Sequence, residues 1–68
     1  MTFNEIILGL LEGNLFSHKD MGGGYIALCY GEEKLDDKRL YFYNPKTQSL
    51  ERYALTRFDI LRDDWIQL

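Results

Sequence analysis

The chain has 68 residues, one cysteine, one histidine and a net charge of −3. So short a chain forms one domain with a small core, and its composition excludes an internal disulfide, a cysteine-rich zinc site and a two-histidine metal site. The acidic balance argues against nucleic-acid binding, and the first apolar run, broken by Asn4, Glu5 and Gly9, predicts neither a signal peptide nor a membrane span. We therefore expect one cytoplasmic domain over residues 1–68, without a cofactor, that gains stability as a homo-oligomer, a dimer or tetramer.

The first predicted element is an amphipathic helix over residues 3–12. Thr2 followed by Glu5 forms a capping-box pattern, and Gly13 is a typical helix end. Apolar residues follow at helical spacing, at Phe3, Ile6, Ile7, Leu10 and Leu11. Gly9 disfavours the helix by about 1 kcal/mol relative to alanine, which indicates that another element packs closely against it.

The middle of the chain predicts an antiparallel sheet. Residues 15–18 form a short strand, and residues 25–30 form a central strand covered on both faces, by the helix and by a second subunit. Residues 31–39 are a loop in which seven of nine residues are charged. Residues 40–53 form a hairpin that turns at Pro45.

The tail predicts a second helix and a last strand. Thr56 is suited to cap a short helix over residues 57–63, and residues 65–68 read as a strand. The fold class is therefore α+β, with an N-terminal amphipathic helix on a small antiparallel sheet and a short C-terminal helix before the last strand.

Several stretches are candidates for chemistry. The glycines at 22–24 are either a phosphate cradle or a hairpin turn, and they lack the Lys-Ser/Thr ending of a nucleotide-binding P-loop. His18 and Lys19 are either a cationic pair for an anionic ligand or an exposed strand end. Ser17 adjoins His18 and would point to the opposite face, and Cys29 lies in a run that looks buried, so we expect no enzyme.

The acidic residues of the tail allow two interpretations. Asp59 and Asp63 would share a face if the helix runs that far, as in a metal site, whereas capping and solvation are the favoured explanation of Asp63 and Asp64. Asp59 lies between two apolar residues and could face a pocket. The tyrosines either stack on a ligand ring or belong to the core and a subunit interface.

Both ends of the chain resemble a known family. Residues 56–65 are similar to an ending of the form Ser/Thr-x-x-Asp-Leu-Leu-x-x-Asp-Trp, matched at Thr56, Asp59, Leu61, Asp64 and Trp65. The start, from Thr2-Phe3-Asn4-Glu5-Ile6 to Leu11-Glu12-Gly13-Asn14, resembles the family's opening helix and turn. The chain thereby resembles the second Thoeris anti-defence family of small phage and bacterial proteins.

The resemblance implies a non-enzymatic sponge. Such proteins bind cyclic ADP-ribose-type signals, and some bind cyclic oligonucleotides, without cleaving them, in pockets between the subunits of a homo-oligomer. Thr56 and Asp59 match pocket-side polar positions, and His18 and Lys19 fall in the family's basic stretch. Met21 stands where the family usually has tryptophan, and His18 stands where it usually has arginine.

The sequence therefore predicts a protein that sequesters a small anionic nucleotide signal. The expected ligand-binding residues are His18, Lys19, Met21, Tyr25, Thr56 and Asp59. The two basic residues would face phosphates, Met21 and a tyrosine such as Tyr25 would flank the base, and Thr56 and Asp59 would bind ribose or base edges. The alternative is a small inhibitor, similar to anti-CRISPR proteins, that binds a host or phage protein.

Overall fold

A computed structural model describes residues 1–30 and 38–68 and confirms the α+β class. The described helices are α1 (Phe3–Leu11) and α2 (Arg57–Leu61), and the strands are β1 (Phe16–Ser17), β2 (Tyr25–Cys29), β3 (Arg39–Asn44), β4 (Ser49–Arg52) and β5 (Ile66–Gln67). A single 3₁₀ turn, Lys19–Met21, lies between β1 and β2. Most of the predicted charged loop lies outside the described residues, and its last residue, Arg39, begins β3.

The strands form one antiparallel sheet in the order β4-β3-β2-β1-β5. The predicted central strand is confirmed, since β2 occupies the middle of the sheet and pairs with β3 from Tyr25↔Tyr43 to Cys29↔Arg39. The predicted hairpin over residues 40–53 is also confirmed, because β3 and β4 pair directly across a turn that includes Pro45.

The capping box at the start of α1 is formed as the sequence predicts. The Glu5 amide donates to the Thr2 hydroxyl at 3.4 Å, and the Thr2 amide donates to Glu5 Oε1 at 2.8 Å. The helix ends at Leu11, one residue earlier than predicted, and Gly13 follows with a φ of +93°. That backbone conformation strongly favours glycine, which explains why the chain turns here.

The core lies between the helices and one face of the sheet. Its buried members are Ile6, Leu10, Phe16, Met21, Ile26 and Trp65. Alternate residues of β2 point to opposite faces, and only Ile26 of this strand is buried. Within the described residues, β2 is therefore covered on the helix side and half-exposed on the other, and a second subunit there stays a prediction.

Four further predicted elements are shorter in the structure. The central strand ends at Cys29 rather than at residue 30. The first strand is Phe16–Ser17 rather than residues 15–18, and the last is Ile66–Gln67 because Trp65 turns into the core. The second helix stops at Leu61 instead of residue 63, since Arg62 is extended (φ −87°, ψ 157°). Asp63 lies beyond the helix end, so the predicted shared helix face of Asp59 and Asp63 is wrong.

Close packing in the core leaves no room for a side chain at Gly9. A Cβ at this position would lie 2.4 Å from Phe16 Cζ, far inside van der Waals contact. Gly9→Ala gains up to about 1 kcal/mol of helix propensity, yet we expect it to destabilise the protein by about 1–3 kcal/mol because the Phe16 ring must move. Urea unfolding measures this change.

The matched control is the same substitution in a Phe16→Leu background, where the clash is relieved. We expect Gly9→Ala to cost clearly less there, or to stabilise. Equal costs in both backgrounds would show that the Phe16 ring does not set the requirement for glycine.

Candidate functional site

The candidate site is built around the carboxylate of Asp59, which is only 4% exposed. Asp59 Oδ2 accepts hydrogen bonds from the Tyr53 hydroxyl at 2.8 Å, the Thr56 amide at 2.9 Å and the Thr56 hydroxyl at 3.1 Å. Oδ1 lies 3.3 Å from His18 Nε2. Burial alone would raise the pKa of Asp59, but the hydrogen bonds from Thr56, Tyr53 and His18 outweigh it and lower the pKa below its usual value.

His18 is held in one tautomer by its two neighbours. The Asp20 amide donates to Nδ1 at 3.2 Å, so Nδ1 carries no proton and Nε2 donates to Asp59. Arg62 Nη1 also lies 3.3 Å from Nε2, but both nitrogens carry hydrogen, so this contact is not a hydrogen bond. The imidazole is thus a fixed connector between Asp20 and Asp59.

Trp65 completes the same cluster from the tail. Its indole Nε1 donates to the Asp59 carbonyl at 2.9 Å, and its ring meets the edge of the His18 ring with centroids 4.6 Å apart. Phe3 of α1 packs on the other side, with its ring centroid 6.0 Å from that of Trp65. We call this group of residues, which adjoin β1 and β4 or belong to α2 and the segments on either side of it, the Asp59 cluster. Its members are His18, Tyr53, Thr56, Asp59 and Trp65.

Arg62 forms an ion-pair bridge beside the cluster. Its guanidinium donates through Nη2 to Asp20 at 2.8 Å and to Asp64 at 2.9 Å, and Nε also donates to Asp64. The two-pronged hydrogen bond to Arg62 lowers the pKa of Asp64 to about 2. The bridge ties the chain after α2 to the 3₁₀ turn after β1.

The structure brings three of the six predicted site residues together: His18, Thr56 and Asp59. Lys19 follows His18 and is exposed, and Met21 is buried in the core with its sulfur 3.9 Å from the Ser17 hydroxyl. Tyr25 lies on β2 next to the inward-facing Ile26, so it belongs to the sheet face away from the helices.

The charge around His18 does not favour a phosphate. Two cations and three carboxylates lie there: Lys19, Arg62, Asp20, Asp59 and Asp64. Both described partners of Arg62 are carboxylates, which leaves the local balance negative. Within one subunit, an anion would therefore meet repulsion rather than the cationic pair that the sequence suggests.

The glycines at 22–24 are explained by packing. Gly22 and Gly23 have φ values of 58° and 87°, which favour glycine. A Cβ at Gly24 would lie 2.5 Å from the Phe42 ring and from the Tyr43 carbonyl oxygen. These contacts support the interpretation as a tight turn between two antiparallel strands over that of a phosphate cradle.

An apolar groove of about 240 Å³ opens on the helix side of the sheet. Its lining is entirely hydrophobic and comes from α1, β2, β3 and the segment before α2: Phe3, Ile7, Leu10, Leu11, Leu28, Leu40 and Leu55. Such a groove suits an apolar side chain and offers no polar group to orient a nucleotide.

No protein-family model, curated protein or solved structure matches this chain. No cluster of three histidine, cysteine or acidic side chains suited to hold a metal occurs in residues 1–30 and 38–68. Over the same residues, no helix is long and apolar enough to cross a membrane.

Sequence reasoning missed Tyr53 and Arg62. Tyr53 reads as one more hairpin aromatic, yet its hydroxyl binds a carboxylate six residues later. Arg62 reads as a solvated charge, although an arginine two residues before an acid in an extended segment is suited to a local ion pair. Its partner Asp20 is 42 residues away, and no local pattern signals that contact.

Asp59 and Glu5 offer a matched comparison, because each is the acid of a capping box and only Asp59 is buried. Asp59→Ala leaves Tyr53 and His18 without their partner, so we expect it to lower the free energy of unfolding by about 3 kcal/mol. Glu5→Ala removes an exposed cap and is expected to cost about 1 kcal/mol or less. Urea unfolding of both variants checks the difference, and equal costs would contradict the central role of Asp59.

The hydroxyl of Tyr53 is expected to titrate at unusually high pH. Burial and the hydrogen bond to Asp59 raise the pKa of Tyr53 to about 12 from 10. The pKa of Tyr53 is higher in the folded protein than in the unfolded chain. The free energy that the protonated hydroxyl contributes to folding is therefore complete below pH 10 and is lost as the pH rises towards 12. The phenolate absorbance then shows one late tyrosine that Tyr53→Phe removes, whereas all tyrosines ionising together near pH 10 would contradict the bond.

Proposed function

We propose that this protein sequesters a small anionic nucleotide signal of the cyclic ADP-ribose or cyclic nucleotide class, as a phage-type anti-defence protein that binds without cleaving. The observation that carries the proposal is the tail motif at 56–65, whose residues act as one folded unit. Thr56 and Asp59 form the capping box, Asp64 binds Arg62, and Trp65 binds the Asp59 carbonyl. The family's ending thus corresponds to a defined structure here.

Binding is favoured over cleavage by the state of the polar groups. A general base works best with a pKa near the working pH, whereas the pKa of Asp59 lies below its usual value. Ser17 donates its hydroxyl proton to the Gly24 carbonyl at 2.6 Å and is buried. Sequestration needs only tight binding and slow release, so it places no demand on these groups.

Self-association is part of the proposal. Leu61, the fifth residue that matches the family ending, is 81% exposed, and Phe58 and Ile60 of the same helix are 67% and 51% exposed. Three exposed apolar side chains on a five-residue helix are suited to a subunit contact. A pocket between subunits would also supply Thr56, at the start of this helix, with a second wall.

The second candidate function is a protein-binding inhibitor, and the apolar groove favours it. The groove can take an apolar side chain of a partner between α1 and the sheet, in the manner of interface pockets that hold anchor residues. In that case the target would be a protein, and nucleotides would not be retained.

A capture assay tests the proposal. The protein is incubated with cyclic ADP-ribose and a panel of cyclic nucleotides, freed of unbound ligand and heat-denatured, and the released ligand is identified by mass spectrometry. We expect intact ligand in near-stoichiometric amount. Altered ligand would indicate an enzyme, and no retained nucleotide would contradict sequestration and favour the inhibitor.

Leu61→Asp on α2 tests self-association. Leu8→Asp on α1 is the matched control, because the Leu8 side chain is also exposed, at 69%. We expect the first to lower the mass measured by light scattering and the second to leave it unchanged. A monomeric wild-type protein that still captures ligand would remove the pocket between subunits from the proposal.

A further inference from the structure

On the sheet face away from the helices, which we call the outer face, the charged side chains of the described strand residues are all cationic. Strand alternation and the β2–β3–β4 register assign it eight residues: Tyr25, Ala27, Cys29, Arg39, Tyr41, Tyr43, Leu50 and Arg52. Two of them are arginines and none is acidic, although the whole chain has a net charge of −3. The charged side chains of the described strands on this face therefore favour an anion.

The same face carries an aromatic platform. The rings of Tyr25 and Tyr43 stack with centroids 5.0 Å apart and an interplanar angle of 23°. Tyr41 continues the row along β3, and all three tyrosines are half-buried, so their positions are fixed while part of each ring meets solvent. Planar bases stack on such rings at roughly 1–3 kcal/mol per base, largely independent of base identity.

The arginines lie at one end of this platform. Arg52 pairs directly with Tyr41 across the hairpin, and Arg39 precedes Tyr41 by two residues on the same face. They are thus diagonal neighbours in the sheet, roughly 7–8 Å apart at the backbone. Guanidinium groups bind phosphate oxygens through paired hydrogen bonds, and within residues 1–30 and 38–68 neither arginine forms an ion pair.

We infer that the outer face is a binding site for an anionic nucleotide, with the base on the Tyr25–Tyr43 platform and the phosphates on Arg39 and Arg52. The sequence predicts that Tyr25 flanks the base of a nucleotide. In the structure, Tyr25 stacks on the Tyr43 ring, and two arginines lie on the same face. The identity of the ligand as an immune signal rests on the proposed function, whereas the placement rests on the charge and geometry of this face.

The charge of the face also selects among occupants. A second copy docked through the same face would bring two further arginines against these two, which costs free energy. A polynucleotide would extend beyond the face onto a protein of net negative charge, which weakens binding through its other phosphates. A mononucleotide or dinucleotide-sized ligand meets only the favourable part.

Equilibrium dialysis with ADP-ribose as the probe tests this site. We expect Arg39→Gln and Arg52→Gln each to weaken binding about tenfold or more, since each removes a charge-assisted contact. Tyr43→Leu is expected to weaken binding by a similar factor through lost stacking. Lys46→Gln removes a cation from the turn of the same hairpin and is expected to leave binding unchanged.

The same variants in the capture assay with cyclic ADP-ribose separate the two proposals. The outer-face site is supported if the wild type captures the ligand and an Arg39→Gln/Arg52→Gln double variant of unchanged thermal stability does not. Full capture by the double variant overturns the outer-face site and does not contradict sequestration. Binding of ADP-ribose at the outer face without capture of any cyclic nucleotide supports the site and overturns sequestration.

Three further outcomes decide against the inference. Amide chemical-shift changes with ADP-ribose that centre on the Asp59 cluster rather than on β2 and β3 would move the ligand to the other face. Tighter binding of an oligouridylate than of ADP-ribose would replace the small ligand by single-stranded nucleic acid. Failure of the wild type to bind ADP-ribose, cyclic ADP-ribose or any cyclic nucleotide of the panel would overturn both the site and the function.

Discussion

The fold depends on one buried carboxylate. Asp59 caps α2 through Thr56, binds Tyr53 at the end of the hairpin and meets His18 at the end of β1, while its carbonyl holds the Trp65 indole. An unpaired charge at such a site costs several kcal/mol, so all of these donors must be in place for the carboxylate to stay buried. A single side chain therefore couples four parts of a chain too short for a large apolar core.

This arrangement changes what the tail motif means. Four of the five residues that match the family ending are used inside this subunit, and each is accounted for by a cap, an ion pair or a buried ring. Each of these four side chains helps to close the tail onto the fold, so their contacts within this subunit are explained without a ligand. Met21 and His18, which differ from the usual residues of the family that the sequence resembles, are both buried.

Local patterns predicted most of the fold. The capping box of α1 joins residues three apart, and the hairpin joins neighbouring runs, so spacing alone reveals them. At α2 the sequence predicts Thr56 as the cap, and the structure adds Asp59 as the acid of a second capping box. The candidate site was harder to predict because its contacts span the chain: His18 meets Asp59 across 41 positions and Arg62 meets Asp20 across 42. Met21 looked available to a ligand because nothing in its local sequence shows that the 3₁₀ turn directs it into the core.

Net charge was the least informative property for function, because the strands sort the charges. Alternation sends Arg39 and Arg52 to the same face as three tyrosines, while the carboxylates of Asp20, Asp59 and Asp64 gather around His18 on the other side of the sheet. Screening limits exposed charges to a range of about 8 Å at physiological salt, so a small ligand responds to the face it touches. The described strand residues of the outer face therefore present cationic side chains to a small anion, although the net charge of the whole chain is −3.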